Sequence, residues 1–299
     1  MKAKLFLFFF CLSVLSGMGQ GTISRNKCKT CGKVISKCPH KGKHSKPAPK
    51  PKTTPSVTAS YQNEVLRVGN VSYRMIYVSG GTFTMGATSE MLESYSDRYG
   101  NGIDEKPTHQ VTLSSYYIGE TEVTQALWKA VMGRNPSYFK GDDLPVERVS
   151  WNDCQTFIRR LNALTGKNFR LPTEAEWEFA ARGGNQSHHT KYSGSSSIDD
   201  VAWYWDNSGR NTHPVKTKQP NELGIYDMTG NVEEWCQDRY GRYSSYAQTN
   251  PTGASSGSRR VLRGCNWYGY PWGCRSSYRS NCTPGNSCNG LGLRLVLSQ

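Results

Sequence analysis

The chain has 299 residues, with 37 Lys and Arg against 23 acids and a formal net charge of +14. That excess is local: residues 1–58 hold 12 of the basic side chains and no acid, leaving 241 residues with 25 basic and 23 acidic side chains. The near-neutral remainder lacks the basic excess that nucleic-acid binding requires, and the first apolar run is too short to span a bilayer, which takes about 20 residues.

In chain order, Lys2 and Lys4 precede an apolar run at 5–15 and small residues before Gln20. That pattern reads as a signal peptide over 1–20. Cys11 lacks the small residues expected ahead of a lipidated cysteine, so a soluble exported protein is expected, periplasmic, cell-surface or secreted. Nine cysteines follow the leader, an odd number in a compartment where disulfides form. Residues 21–45 gather Cys28, Cys31, Cys38, His40 and His44. They suit a small tetrahedral zinc site or, equally, a disulfide with a spare thiol; the second half departs from usual zinc spacing. Residues 46–60, rich in Lys and Pro, form an extended linker.

The domain proper is placed at 61–299. Strand-like runs occupy 65–68, 71–78 and 110–118. Val123, Leu127, Ala130 and Val131 then share a helical face that ends at Gly133. Ser150 with Asp153 forms a capping box ahead of Cys154, Phe157, Ile158 and Leu161, with a stop at Gly166. Thr173 with Glu176 caps a third helix that runs out at Gly183-Gly184. No long helix is expected after that, so the class is α+β and loop-rich.

Five blocks stand in order: Gly80-Gly81-Thr82-Phe83-Thr84-Met85-Gly86, Glu120-Thr121-Glu122-Val123-Thr124, Arg170-Leu171-Pro172-Thr173-Glu174-Ala175-Glu176-Trp177-Glu178, Gly230-Asn231-Val232-Glu233-Glu234-Trp235, and a C-terminal pair. The pair is Arg260-Val261-Leu262-Arg263-Gly264-Cys265-Asn266-Trp267 with Leu291-Gly292-Leu293-Arg294-Leu295-Val296. Together they resemble the sulfatase-modifying-factor family, which includes the formylglycine-generating enzymes, and cover roughly residues 64–298. The resemblance implies a loop-rich domain related to C-type lectins.

Asp227 and Glu234 flank a Gly-centred turn, an oxygen-rich arrangement of the calcium kind. The resemblance implies a structural calcium with side-chain ligands Asp227 and Glu234 and carbonyl ligands Gly230 and Val232. His109, His188, His189 and His213 show no ligand spacing.

The oxidases of this family hold copper between two thiols with four residues between them, and two soft thiolates suit Cu(I). Laid on this chain, the second thiol is Cys274, but the first falls on Gly269. The motif serine is Asn266, and Glu233 stands where the family has an active-site tryptophan. Copper is therefore expected only if the oxidase alternative holds, with Cys274 as its one catalytic candidate. Cys265, nine residues away, would need a different loop to serve as its partner.

Residues 265–290 contain no Asp, Glu, Lys, Leu, Ile, Val or Met; Cys, Tyr, Ser, Asn and Gly make up 19 of the 26. Such a segment cannot build its own core and reads as a surface carried by the domain. Tyr with small polar residues is the composition of binding loops. Asn266, Tyr268, Tyr270, Trp272, Tyr278, Ser280, Asn281, Asn286 and Asn289 are the expected ligand-binding residues, for a protein or glycan. This stretch also resembles the variable region of proteins diversified by retroelements. Two alternatives remain, a formylglycine-generating oxidase and a structural envelope protein. Oligomeric state is not legible.

Overall fold

A computed structural model describes residues 63–88, 91–92 and 103–298. The chain divides into units 1–58 and 59–299, and everything described lies in the second. The expected signal peptide, the Cys28–His44 cluster and the linker fall outside the described residues.

The hairpin β1 (Glu64–Val68) and β2 (Val71–Val78) opens a five-stranded sheet. It continues through β5 (Tyr116–Gly119) and β12 (Val296–Ser298) to β6 (Phe169–Arg170). The run at 110–118 does not form one strand. It breaks into β4 (His109–Leu113) and β5, which pair in different sheets. The Asn250 carboxamide accepts from the Ser114 amide at 2.8 Å in that break, a tertiary bond that hydrophobic periodicity does not encode. β3 (Gly81–Met85), β4 and β8 (Gln248–Thr249) make a three-stranded sheet. The last sheet is ordered β10 (Ser280–Cys282), β9 (Arg260–Arg263), β7 (Glu233–Arg239), β11 (Leu291–Gly292).

The helices follow their caps. α1 (Gln125–Met132) stops at Gly133, whose left-handed φ of 76° ends the turn. In α2 (Trp151–Thr165) the Ser150–Asp153 box is reciprocal. Trp128 of α1 stacks on Phe157 of α2 at 4.8 Å, and Leu127 and Leu161 are buried beside them. α3 (Glu174–Ala181) has the expected Thr173–Glu176 box but differs in kind, because all eight of its residues are buried, Glu174, Glu176 and Glu178 included. Only one further α-helix, the single turn α4 (Ile198–Val201), follows among the described residues.

Each buried acid of α3 has an arginine. Arg279 donates from Nε to Glu174 Oε1 at 2.6 Å and from Nη2 to Oε2 at 2.7 Å. Arg263 reaches Glu178 Oε2 at 2.6 Å and also the carbonyls of Ser276 and Ser277. Arg170 holds both oxygens of Glu176 at 2.6 Å. Breaking such a buried pair costs about 3–5 kcal/mol, because a charge is left without a partner. These pairs fix α3 against β9 and carry the C-terminal segment.

Candidate functional site

The segment 265–290 is not simply a surface. Gly273 through Ser277 and Arg279 are buried. Arg275 pairs with Glu105, to which the Ser277 hydroxyl donates at 2.6 Å. Two arginines within the segment and one in the framework before it thus act as anchors. The composition concealed this, since the matching acids lie at Glu105 and on α3, far away in sequence.

The exposed residues are Tyr270 and, in the turn beyond β10, Thr283, Gly285, Asn286 and Ser287; around Tyr270 the surface is aromatic. Trp205, 43% exposed, lies 5.8 Å from Tyr270, 49% exposed. Tyr270 stacks toward Trp272 at 6.2 Å, and Trp272 meets Tyr278 edge-on at 5.8 Å. The Trp205 amide donates to the Gly269 carbonyl at 3.0 Å, which ties the two loops together. Arg210 lies over the Trp205 ring at 5.8 Å. Trp205 escaped the sequence reading because it stands 60 residues before the segment. Its only signal was an aromatic beside Asp206 and Asn207 in a stretch without apolar periodicity.

The expected ligand-binding residues therefore divide. Tyr270, Trp272 and Tyr278 belong to one aromatic group, whereas Tyr268 meets Trp267 at 4.7 Å and through it Phe139, in a separate group. Asn266 is 6% exposed, too deep to be displayed, and donates to Glu233 at 3.5 Å. The Ser280 side chain also bonds to Glu233. Asn281 accepts from Arg259 at 2.8 Å on β10. The Asn289 carbonyl accepts from Trp267 Nε1 at 2.8 Å, while Asn286 is exposed in the turn that its amide closes on Thr283. Burial pushes the Glu233 carboxyl up to about 7, so an ionisable group lies directly beneath the face.

Cys274 is not a solitary thiol. It is joined in a disulfide to Cys265, with Cα atoms 4.9 Å apart. Eight residues lie between the two cysteines, against four in the oxidase pattern, and Cys265 adopts a left-handed φ of 68° at the start of this loop. A Cβ placed on Gly269 would lie 2.3 Å from Cys265 Sγ. The sulfur of Cys265 thus fills the space that a side chain at position 269 would need. Both cysteines are buried, at 5% and 1% exposure, and pack with Tyr192, Val201, Ala202 and Tyr204. As residues for copper they fit only in the reduced state, since each sulfur is bonded to the other.

The calcium set meets competing bonds. Glu234 takes Arg294 on both oxygens, at 2.7–3.0 Å, and Trp177 Nε1 at 2.7 Å. Asp227 accepts from the Lys216 amide at 2.8 Å. Glu122 completes a buried acidic trio with these two, and Val232 donates its amide to it at 3.1 Å. Burial and these neighbouring carboxylates push Glu122 well up, and burial brings Asp227 to about 6. Charge thus favours a cation near Asp227, but Glu234 fits as a ligand only by giving up a present bond. Among the described residues no three His, Cys, Asp or Glu converge on one point. His213 stacks on Trp203 at 3.7 Å.

Residues 67–299 match the family described as Sulfatase-modifying factor enzyme 1-like domain. A protein named Chaperone protein LppX from Paenibacillus barcinonensis is 37% identical, covering 77% of this chain and 91% of its own. The Formylglycine-generating enzyme of Streptomyces coelicolor is 30% identical, covering 73% and 87%. Among solved structures, Treponema denticola variable protein 1 superposes with a TM-score of 0.72 at 34% identity, over 79% of this chain and 99% of that one. PvdO from Pseudomonas aeruginosa gives 0.65 at 26%, over 81% and 100%. No described helix is long and apolar enough to cross a membrane.

Proposed function

Because the chain belongs to the sulfatase-modifying-factor family, whose fold does not dictate one activity, we propose that it recognises a protein or glycan ligand through its C-terminal aromatic face. The observation that carries this reading is the Trp205–Tyr270–Trp272 strip, with Trp205 and Tyr270 exposed and Trp272 half-buried, beside a stretch clamped by buried arginines. A rigid scaffold with protruding rings suits binding, since rings add contact area at low entropy cost. The similarity to a variable protein is consistent with it. The test is an array of glycans and surface proteins probed with the wild type and with a Trp205→Ala/Tyr270→Ala variant. A ligand lost in the variant at unchanged melting temperature supports the reading. Ligands retained by the variant, or none found, overturn it.

One observation favours an oxidase as the second reading, the pairing of Cys265 with Cys274. The reduced protein, given copper, oxygen and a Cys-x-Pro-x-Arg peptide, would then convert that cysteine to an aldehyde detectable by mass spectrometry. We also propose a structural calcium held by Asp227, the Gly230 and Val232 carbonyls and, once it gives up a bond to Arg294, Glu234; the cluster of buried acids supports it. A chelator should then lower the melting temperature, and added calcium should restore it.

A further inference from the structure

A cavity of about 240 Å³ opens between the start of α3, the end of β7 and the loop at 241–254. None of the strip residues Trp205, Tyr270, Trp272 or Tyr278 lines it. In it lies Asp238, 3% exposed. Its Oδ2 accepts the Glu174 amide at 3.1 Å, and no other hydrogen bond or ion pair reaches the carboxylate from the described residues. The contrast with its neighbours is sharp. Glu174, Glu176 and Glu178 each have an arginine, and Asp238 has none. Arg279 also lines the cavity but is committed to Glu174 and to the Asp104 and Gly241 carbonyls. At the rim, Arg239 and Arg242 are exposed and form no ion pair among the described residues, and Tyr243 contributes an aromatic wall.

A buried carboxylate with no ion-pair partner of its own, facing open space, is costly unless something positive occupies that space or the group stays protonated. We propose that this cavity takes a small zwitterion of the amino-acid type, its ammonium on Asp238 and its carboxylate toward Arg242 at the rim. An ammonium supplies the missing charge at the floor, and a guanidinium is suited to a carboxylate. Burial and the carboxylate of Glu174 push Asp238 up to about 8. The charged and titratable groups around it are Glu174 and Glu176 of α3, Arg239, Arg242, Arg279, Tyr243 and His109. To accept an ammonium below that pH the site must first release a proton. Affinity should therefore fall about tenfold for each unit below 8.

Calorimetry on the full chain with 4-aminobutyrate, n-butylammonium and butyrate tests this. At pH 8.5, 4-aminobutyrate should bind more tightly than n-butylammonium, and butyrate should not bind. At pH 6 the affinity for 4-aminobutyrate should be about a hundredfold lower. Asp238→Asn can still accept the Glu174 amide and should bind none of the three. The exposed Arg242→Gln should abolish only the advantage of 4-aminobutyrate over n-butylammonium. Absence of 4-aminobutyrate binding at pH 8.5, or equal binding by Asp238→Asn, overturns the proposal. Equal affinity for 4-aminobutyrate and n-butylammonium in the wild type overturns its zwitterionic form.

Discussion

Two stretches of the segment 265–290 behave oppositely. Around Arg275, Ser277 and Arg279 the chain is sunk against α3 and Glu105, with side chains under a tenth exposed. Around Tyr270 and Trp272 it stands out toward Trp205. Charge decides the difference. Arginines with acids waiting below are drawn in, while rings without a partner cavity are left at the rim. The exposed rings therefore sit on a segment held in place by buried ion pairs.

The most severe way to break that division is Arg279→Ala. It removes the two-point partner of the buried Glu174 carboxylate, which Arg279 and Arg263 hold below its usual range, and leaves only Arg263 at 3.3 Å and the Tyr243 hydroxyl. A loss of about 3–5 kcal/mol is expected in denaturant unfolding. Next in size is Gly269→Ala. Its Cβ would meet Cys265 Sγ at 2.3 Å, so overpacking should cost about 1–3 kcal/mol. Combining Gly269→Ala with Cys265→Ala should recover part of that loss if the sulfur is what the methyl strikes. Additive losses in a double-mutant cycle would contradict the steric account.

The helices and their ends were legible because caps are local: Ser150, Asp153 and Gly166 mark α2 within a single stretch. The ordered blocks marked the family, and residues 67–299 bear that out. What sequence concealed was pairing across distance. Cys265 could be named as a partner for Cys274 only through a different loop, and the turn that supplies it has a positive φ at a non-glycine residue. Nothing near Arg275 announces Glu105, 170 residues away. Asn266 was read as displayed because polar residues usually are, but it is buried against Glu233.

A milder test titrates the boundary between the two stretches. Glu233 has an ordinary value of 4.5 and is pushed to about 7 by burial. A carboxyl raised in the folded state keeps a proton that the unfolded chain has released, so stability falls as pH rises from about 4.5 to about 7. Asp238 should contribute the same slope up to about 8. Glu233→Gln removes its share, so the variant should show a flatter stability profile across that window, measured by urea unfolding at several pH values. An unchanged slope would mean that Glu233 is ionised beneath the face.

The smallest stability effect should come from the rim. Tyr270 is half-exposed, and its ring contacts are with Trp205 and Trp272, both at 5.8 Å or more between centroids. Tyr270→Ala should therefore shift unfolding by no more than about 0.5 kcal/mol, as surface changes usually do. Tyr278→Ala provides the comparison. Its ring is largely covered, and burial with the nearby Glu233 and Glu105 pushes its hydroxyl up to about 12. That change should cost several times as much as Tyr270→Ala. If both cost the same, the strip is packing rather than display, because a ring kept for a ligand contributes little to the fold that presents it.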